Sequence, residues 1–285
     1  MKLTQTETGQ KHMAQTNKTT NKLTNIDLSI QISLSGLSFC ILNTDTNTVI
    51  ELREVIFEKR LNPLEALDEL KSLFTKENAL QSNFKNVIII HDNDLATLVP
   101  KSLFNKNHLA EYLKFNSKIL KSDFIAYDPI QENTSVNVYI PYVNFNNFIY
   151  EKFGAFVYKH VSTVLIENIL QIEKESETPK VFVNISTNHF EILVTEKEQL
   201  NLYNSFSYST KEDFIYYILF TAEQLNLDPE SFQLVLLGDV DENNELYEIA
   251  YKYIRNISFG KRNSQYKYIA KPKSEYSNFA LLNSF

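Results

Sequence analysis

Three short stretches carry the residue types that do chemistry. His91-Asp92-Asn93-Asp94 sets an imidazole and two carboxylates directly after the apolar run Val87–Ile90. The end of a buried strand is where α/β folds place active sites, and such groups could ligate a metal or move protons. A polar loop capping the strand end uses the same residues, and nothing nearby supplies further ligands, so the cap is the reading adopted here. Gly238-Asp239-Val240-Asp241-Glu242 holds three more carboxylates, which could join His91 and Asp94 across a cleft. The simpler reading sets Asp241 or Glu242 at a helix N-terminus, where the macrodipole favours negative charge. His160 ends another apolar run and reads as a packed or surface histidine rather than a catalytic base.

Cys40 lies in an apolar run with no Cys-His-Asn arrangement around it, and reads as core. It is the single cysteine, so no intrachain disulfide can form; this fits a reducing compartment, and a cytoplasmic protein is expected. The sequence has no Gly-x-Ser-x-Gly elbow, no phosphate loop of the Walker type and no His-Glu-x-x-His. No catalytic residue, metal or cofactor is assigned.

The chain has 285 residues, 43% hydrophobic and 22% charged, enough for two domains and a sizeable core. A net charge of -7 argues against nucleic acid or an anionic membrane surface as the main partner, since both need concentrated Lys and Arg. The leader, residues 1–25, is rich in Thr, Gln, Asn and Lys, lacks an apolar signal segment and reads as disordered. The longest apolar run, near Phe214–Ala222, is far shorter than the roughly 20 residues that span a bilayer, so no transmembrane segment is expected.

Leu28, Ile30, Ile32 and Leu34 alternate with polar residues, as in a half-buried strand. A turn at Ser35-Gly36, a strand at Leu37–Leu42 and a third at Val49–Phe57 complete a meander. Asn62 and Pro63 open a helix to about Leu80, and Val87–Ile90 is a fourth strand. A helix is expected over Lys101–Asn116, then strands at Phe124–Asp128 and Val136–Ile140. A helix over Phe145–Phe153 closes on Gly154, a strand follows at Ala155–His160, and Ser162 caps a helix to Glu173. The charged run Glu173–Pro179 is the candidate boundary. Beyond it the pattern returns: strands at Val181–Ile185, His189–Thr195 and Gln199–Phe206, a helix at Lys211–Leu225, a strand at Phe232–Leu237 and a helix to about Arg255. The sequence thus predicts a first lobe over 26–175 with an inserted α/β subdomain at about 124–175, a second lobe over 176–265, and a tail, 266–285. The stretch Phe214–Phe220 is apolar almost all round and reads as a buried helix, or as one that docks a partner through one face. The tail either packs on its own chain or offers a motif to another.

A β-β-β-α-β-α unit used twice resembles the ribonuclease-H-like fold duplicated in actin, the sugar kinases and the heat-shock ATPases. Within that group the chain resembles the bacterial cell-division and type IV pilus-assembly branch, and a bacterial domain-of-unknown-function family with the same actin-like ATPase fold. The resemblance implies an α/β protein of two such lobes, each built on a mixed sheet. In actin-like ATPases two hairpins hold the phosphates, each with an acidic residue on its first strand and a Gly two positions later; a strand near the adenosine ends in Gly-Gly. Here the first hairpin carries Gln31 at the acidic position and Ser33 at the Gly position, with Ser38 where a basic residue is expected. The second carries Asn184 and Ser186, and the adenosine loop reads Gly238-Asp239. An amide is no general base and a poor Mg²⁺ ligand beside a carboxylate, and Asp239 would set negative charge near an anionic nucleotide. These departures imply degenerate nucleotide loops and a non-catalytic pseudo-ATPase acting as a binding or scaffold protein for a protein or peptide partner. The alternative is a divergent nucleotide-binding protein of the same fold, with His91, Asp94 or Asp239 replacing the lost carboxylates. A third reading discards the resemblance and sets an enzyme site at His91–Asp94 in one of two unrelated α/β domains.

Overall fold

Alternation builds the first sheet in the computed structural model, which describes residues 25–115, 117–120, 122–262 and 266–285. The expected leader lies outside the described residues apart from Asn25. Strand β1 (Ile26–Ile32) pairs antiparallel with β2 (Gly36–Asn43), which pairs antiparallel with β3 (Thr48–Ile56). Leu28, Ile30 and Ile32 share a core with Leu37, Phe39 and Ile41 and with α1 (Pro63–Lys76). That helix starts as predicted: the Asn62 side chain accepts the Leu64 and Glu65 N–H groups, and Glu65 returns a bond to the Asn62 N–H. Such a box contributes about 1 kcal/mol. Strand β4 (Asn86–His91) then runs parallel to β1. β1 is not half-buried as its alternation suggests, because Ser29 on its other face is also fully buried, 2.7 Å from the Ser284 hydroxyl.

After β4 comes an insertion. Strands β5 (Ala96–Pro100), β6 (Ala126–Ile130) and β7 (Ser135–Tyr139) form an antiparallel sheet in the order β5-β7-β6, with α2 (Leu109–Leu113) against it. The helix expected over Lys101–Asn116 is only a 3-10 turn at Lys101–Leu103 and the short α2. Local bonds compete with it: the Asn105 side chain accepts the Asn107 N–H, and the Tyr112 hydroxyl accepts the Asn105 N–H. Helix α3 (Val143–Phe153) ends on Gly154 at φ 79°, the left-handed residue that terminates it. Strand β8 (Val157–His160) returns to the main sheet beside β4, and α4 (Val161–Ile172) follows. The insertion therefore starts at β5, well before residue 124, and is over before β8.

The second sheet repeats the first. Strands β9 (Lys180–Ile185), β10 (His189–Glu196) and β11 (Gln199–Ser207) form a meander, α5 (Lys211–Gln224) crosses, and β12 (Gln233–Gly238) lies parallel to β9. Helix α6 (Glu245–Tyr253) leads to β13 (Asn256–Phe259), parallel to β12. It starts later than Asp241 or Glu242, because Asn244 caps it by accepting the Leu246 N–H. The order β11-β10-β9-β12-β13 matches β3-β2-β1-β4-β8 strand for strand. Last come β14 (Lys267–Tyr268), parallel to β3, and α7 (Phe279–Leu282).

The described residues divide into two units. The first comprises those of Met1–Val164, Ser264–Lys271 and Ala280–Phe285, the second those of Leu165–Asn263 and Pro272–Phe279. The division falls inside α4, not in the Glu173–Pro179 run, since α4 is one continuous helix and Glu173 is buried. The tail packs on its own chain: Phe279, Leu281 and Leu282 are buried. Among the described residues no helix is long and apolar enough to cross a membrane.

Candidate functional site

In the first unit, Gln31, Ser33 and Ser38 share the β1–β2 hairpin, with Gln31 directly opposite Ser38. The Gln31 carboxamide donates to the Asp92 carboxylate at 3.0 Å. The Ser33 N–H donates to the Gly36 carbonyl at 3.0 Å, as does its hydroxyl, which also accepts the Ser35 N–H. The turn thus uses the polar groups of Ser33 for itself.

Beside this hairpin, His91-Asp92-Asn93-Asp94 is a cap. The Tyr142 N–H donates to His91 Nδ1 at 3.3 Å, which fixes the proton on Nε2, and Nε2 donates to Asn146 Oδ1 at 3.0 Å. Asn93 accepts the Leu95 N–H and donates to the Ile140 carbonyl, and Asp94 is exposed. His91 is fully buried with both ring nitrogens engaged, so it suits neither a metal nor proton transfer.

In the second unit, Asn184, Ser186, Gly238 and Asp239 meet at one end of the sheet, where β9 and β12 run side by side with Gly238 opposite Ile185. Asn184 donates to Glu191 Oε2 at 2.9 Å, and His189 Nε2 lies 3.3 Å from Glu191 Oε1. Glu191 is 1% exposed and sits opposite Asn184 on β10. The Ser186 N–H donates to the His189 carbonyl, and the Tyr208 hydroxyl donates to the Ser186 carbonyl at 2.7 Å. Burial, then the charges of Asp239 and Glu245, push the Tyr208 phenol up to about 12, so it remains a donor at neutral pH.

The loop after β12 is covered by the chain itself. Gly238 has φ 86°, and a Cβ there would collide with the Ile185 carbonyl oxygen, which is why this position holds glycine. Its N–H donates to the Tyr276 carbonyl at 2.9 Å, and the Asp239 N–H donates to the Ile185 carbonyl at 2.9 Å. Lys273 Nζ lies 3.4 Å from Asp239 Oδ1, and the Tyr276 ring stacks on Phe259 at 4.5 Å. The Arg262 guanidinium holds this covering segment through the Ser274 and Ser277 carbonyls.

A second buried network lies in the first unit. Asp128 accepts the Tyr139 hydroxyl (3.1 Å), the His160 N–H (3.1 Å) and the Thr163 hydroxyl (2.9 Å). Burial outweighs these bonds and pushes its carboxyl up to about 6. His160 is packed rather than at the surface, the first of the two placements the sequence left open: Nδ1 accepts the Ser162 N–H, and Nε2 donates to the Asn93 carbonyl at 3.0 Å. Cys40 is buried, and desolvation pushes its thiol up to about 12. Neither Asp128 nor Glu191 stands out in sequence. The hairpin register that sets Glu191 opposite Asn184 is the one signal that could have revealed the pair.

Helix α5 is not buried all round. Phe214, Ile215 and Ile218 face the core, while Tyr216 and Phe220 are exposed and stack at 5.9 Å.

The chain is similar to a solved Bacteroides thetaiotaomicron protein with an actin-like ATPase fold and unknown function. The two are 25% identical with a TM-score of 0.75, over 84% of this chain and 92% of that one. It is also similar in fold to the PilM–PilN type IV pilus biogenesis complex, at 13% identity and a TM-score of 0.59, over 90% of this chain and 96% of that one. No curated protein matches the chain. With the two sheets described above, these likenesses establish an α/β protein of two ribonuclease-H-like lobes with the actin-like ATPase fold. The model of DUF3822, a protein family of unknown function, matches residues 15–257, and the chain belongs to that family.

Proposed function

We propose that the chain is a non-catalytic member of the actin-like fold, a binding or scaffold protein with degenerate nucleotide loops. The observation that carries this reading is the state of the two positions where the resemblance expects carboxylates. Each holds an amide, Gln31 or Asn184, and each amide donates to a buried carboxylate, Asp92 or Glu191. An amide so engaged neither positions Mg²⁺ nor accepts a proton from an attacking water. The third loop supports the same reading, because the Gly238 N–H is taken by Tyr276 and the Asp239 carboxylate faces Lys273.

A protein or peptide partner fits this reading. The similar solved structure is a complex, PilM–PilN, of type IV pilus biogenesis. Here Tyr216 and Phe220 on α5, and Tyr251 and Tyr253 on α6, expose aromatic surface of the kind enriched at interfaces. A reducing, cytoplasmic setting suits the single buried cysteine.

The test is the melting temperature with and without millimolar Mg-ATP. No shift is expected. A ligand binding only the folded state at 100 times its Kd adds about 2.7 kcal/mol, so a rise of several degrees would overturn the reading.

A further inference from the structure

The second sheet has a recess on the face turned away from α5 and α6. Period-two alternation puts Lys180 and Phe182 of β9, Gln233, Val235 and Leu237 of β12, and Ser258 of β13 on that face. The end of α4, with Ile172 and Glu173, and Phe279 complete a cavity of about 200 Å³.

Its walls are largely apolar, and the polar side chains that line it are paired, Lys261 with Glu275 and the others with one another, except at one atom. Gln233 donates to Ser258 at 2.9 Å. Glu173 takes a bond from Lys180 Nζ on Oε1 at 2.9 Å, while its side chain is only 4% exposed. Glu173 Oε2 is buried with no hydrogen-bond partner among the described residues. A buried carboxylate oxygen without a donor is unfavourable, so this atom is an acceptor that a ligand could complete.

Charge narrows the ligand. The Glu173–Lys180 pair is already neutral, and Lys261, which also lines the cavity, is paired with Glu275 at 3.4 Å, so an added cation would leave the site positively charged. A neutral donor completes the carboxylate without that imbalance. The volume holds roughly ten non-hydrogen atoms at interior packing density, the size of one aromatic ring or two fused rings. We propose that this cavity binds a small, mostly apolar molecule or side chain bearing one neutral hydrogen-bond donor, a phenol or an indole, with the donor on Glu173 Oε2.

The test titrates the full chain with p-cresol, indole, toluene and benzylamine and follows ¹H–¹⁵N spectra. Saturable shifts at Phe182, Val235, Leu237 and Gly260 are expected for p-cresol and indole. Toluene lacks the donor and benzylamine is a cation; each should bind about tenfold more weakly or less, the scale of one charge-assisted hydrogen bond. N-acetyltyrosinamide separates the sources: tighter binding than p-cresol points to a polypeptide side chain, and weaker binding to a free small molecule. Glu173→Leu removes the acceptor and Val235→Phe fills the space while keeping Glu173; both should weaken p-cresol at least tenfold. Equal binding of toluene and p-cresol, shifts elsewhere in the chain, or full binding by a folded V235F protein would overturn the proposal.

Discussion

Asn184 and Glu191 face each other across the β9–β10 hairpin, and the carboxamide of the first donates to the carboxylate of the second at 2.9 Å. The pair is buried, so the nitrogen of Asn184 cannot become an oxygen without consequence. Asn184→Asp removes a donor and sets two carboxylates in hydrogen-bond contact. Like charges so close force one carboxyl to hold its proton well above its usual range. The variant should lose about 2–4 kcal/mol at pH 7.5 and recover much of it by pH 5, as the pair takes up that proton. Urea unfolding at both pH values checks this; equal stability of variant and parent at pH 7.5 would show that the amide is not needed.

Asp128 gives a second pH dependence. Its carboxyl rises from 3.8 to about 6 on folding, so between those values the folded state binds more protons than the unfolded one. Stability from this group therefore grows as pH falls from 6 to 4 and is lost as pH rises through 6. The size is up to about 3 kcal/mol. Asp128→Asn keeps an acceptor for the His160 N–H and the Thr163 hydroxyl but cannot titrate. Relative to D128N, the parent should gain stability from pH 7 to pH 4; a constant difference would contradict the assignment.

Gly238→Ala tests the loop after β12. The substitution combines a left-handed backbone with a collision against the Ile185 carbonyl. A loss of about 2–4 kcal/mol is expected, together with faster amide exchange at Gly238 and Asp239 as the bond to Tyr276 opens. Chemical denaturation and hydrogen exchange read the two effects.

Cys40 should be inert in the folded protein. It is fully buried, and its thiol is pushed up to about 12, leaving almost no thiolate at neutral pH. A maleimide should label it only as fast as the protein unfolds, with full labelling in 6 M guanidinium. Rapid labelling of the native state would contradict its burial.

Alternation marks β1, and continuous apolar runs mark β4 and β12, because those patterns follow from local geometry alone. Strand β5 is missed, since Ala96–Pro100 does not alternate and owes its shape to pairing with β7. Strand β14 is two residues long and is defined only by β3, more than 200 positions earlier. The candidate loops are readable by position, but their partners are not. Asp92 is 61 residues from Gln31, and Asn146 is 55 from His91, separations that only the folded sheet closes. Glu173 reads as the start of a charged linker, yet it is buried, because α4 carries it under the second sheet.

The return of residues 266–271 and 280–285 to the first unit has a consequence for synthesis on the ribosome. β14 borders the first sheet and Ala280–Phe285 belong to the first unit, although that unit's other strands are all made before residue 165. Domains ordinarily fold as they emerge, N-terminal part first. Here the first lobe waits for a stretch made after the second lobe's strands: until Leu281 and Leu282 leave the exit tunnel, the edge of β3 and the face around Ser29 stay open. The second lobe is also completed only by Pro272–Phe279, so both lobes reach their final form together, once the same short stretch of chain has emerged.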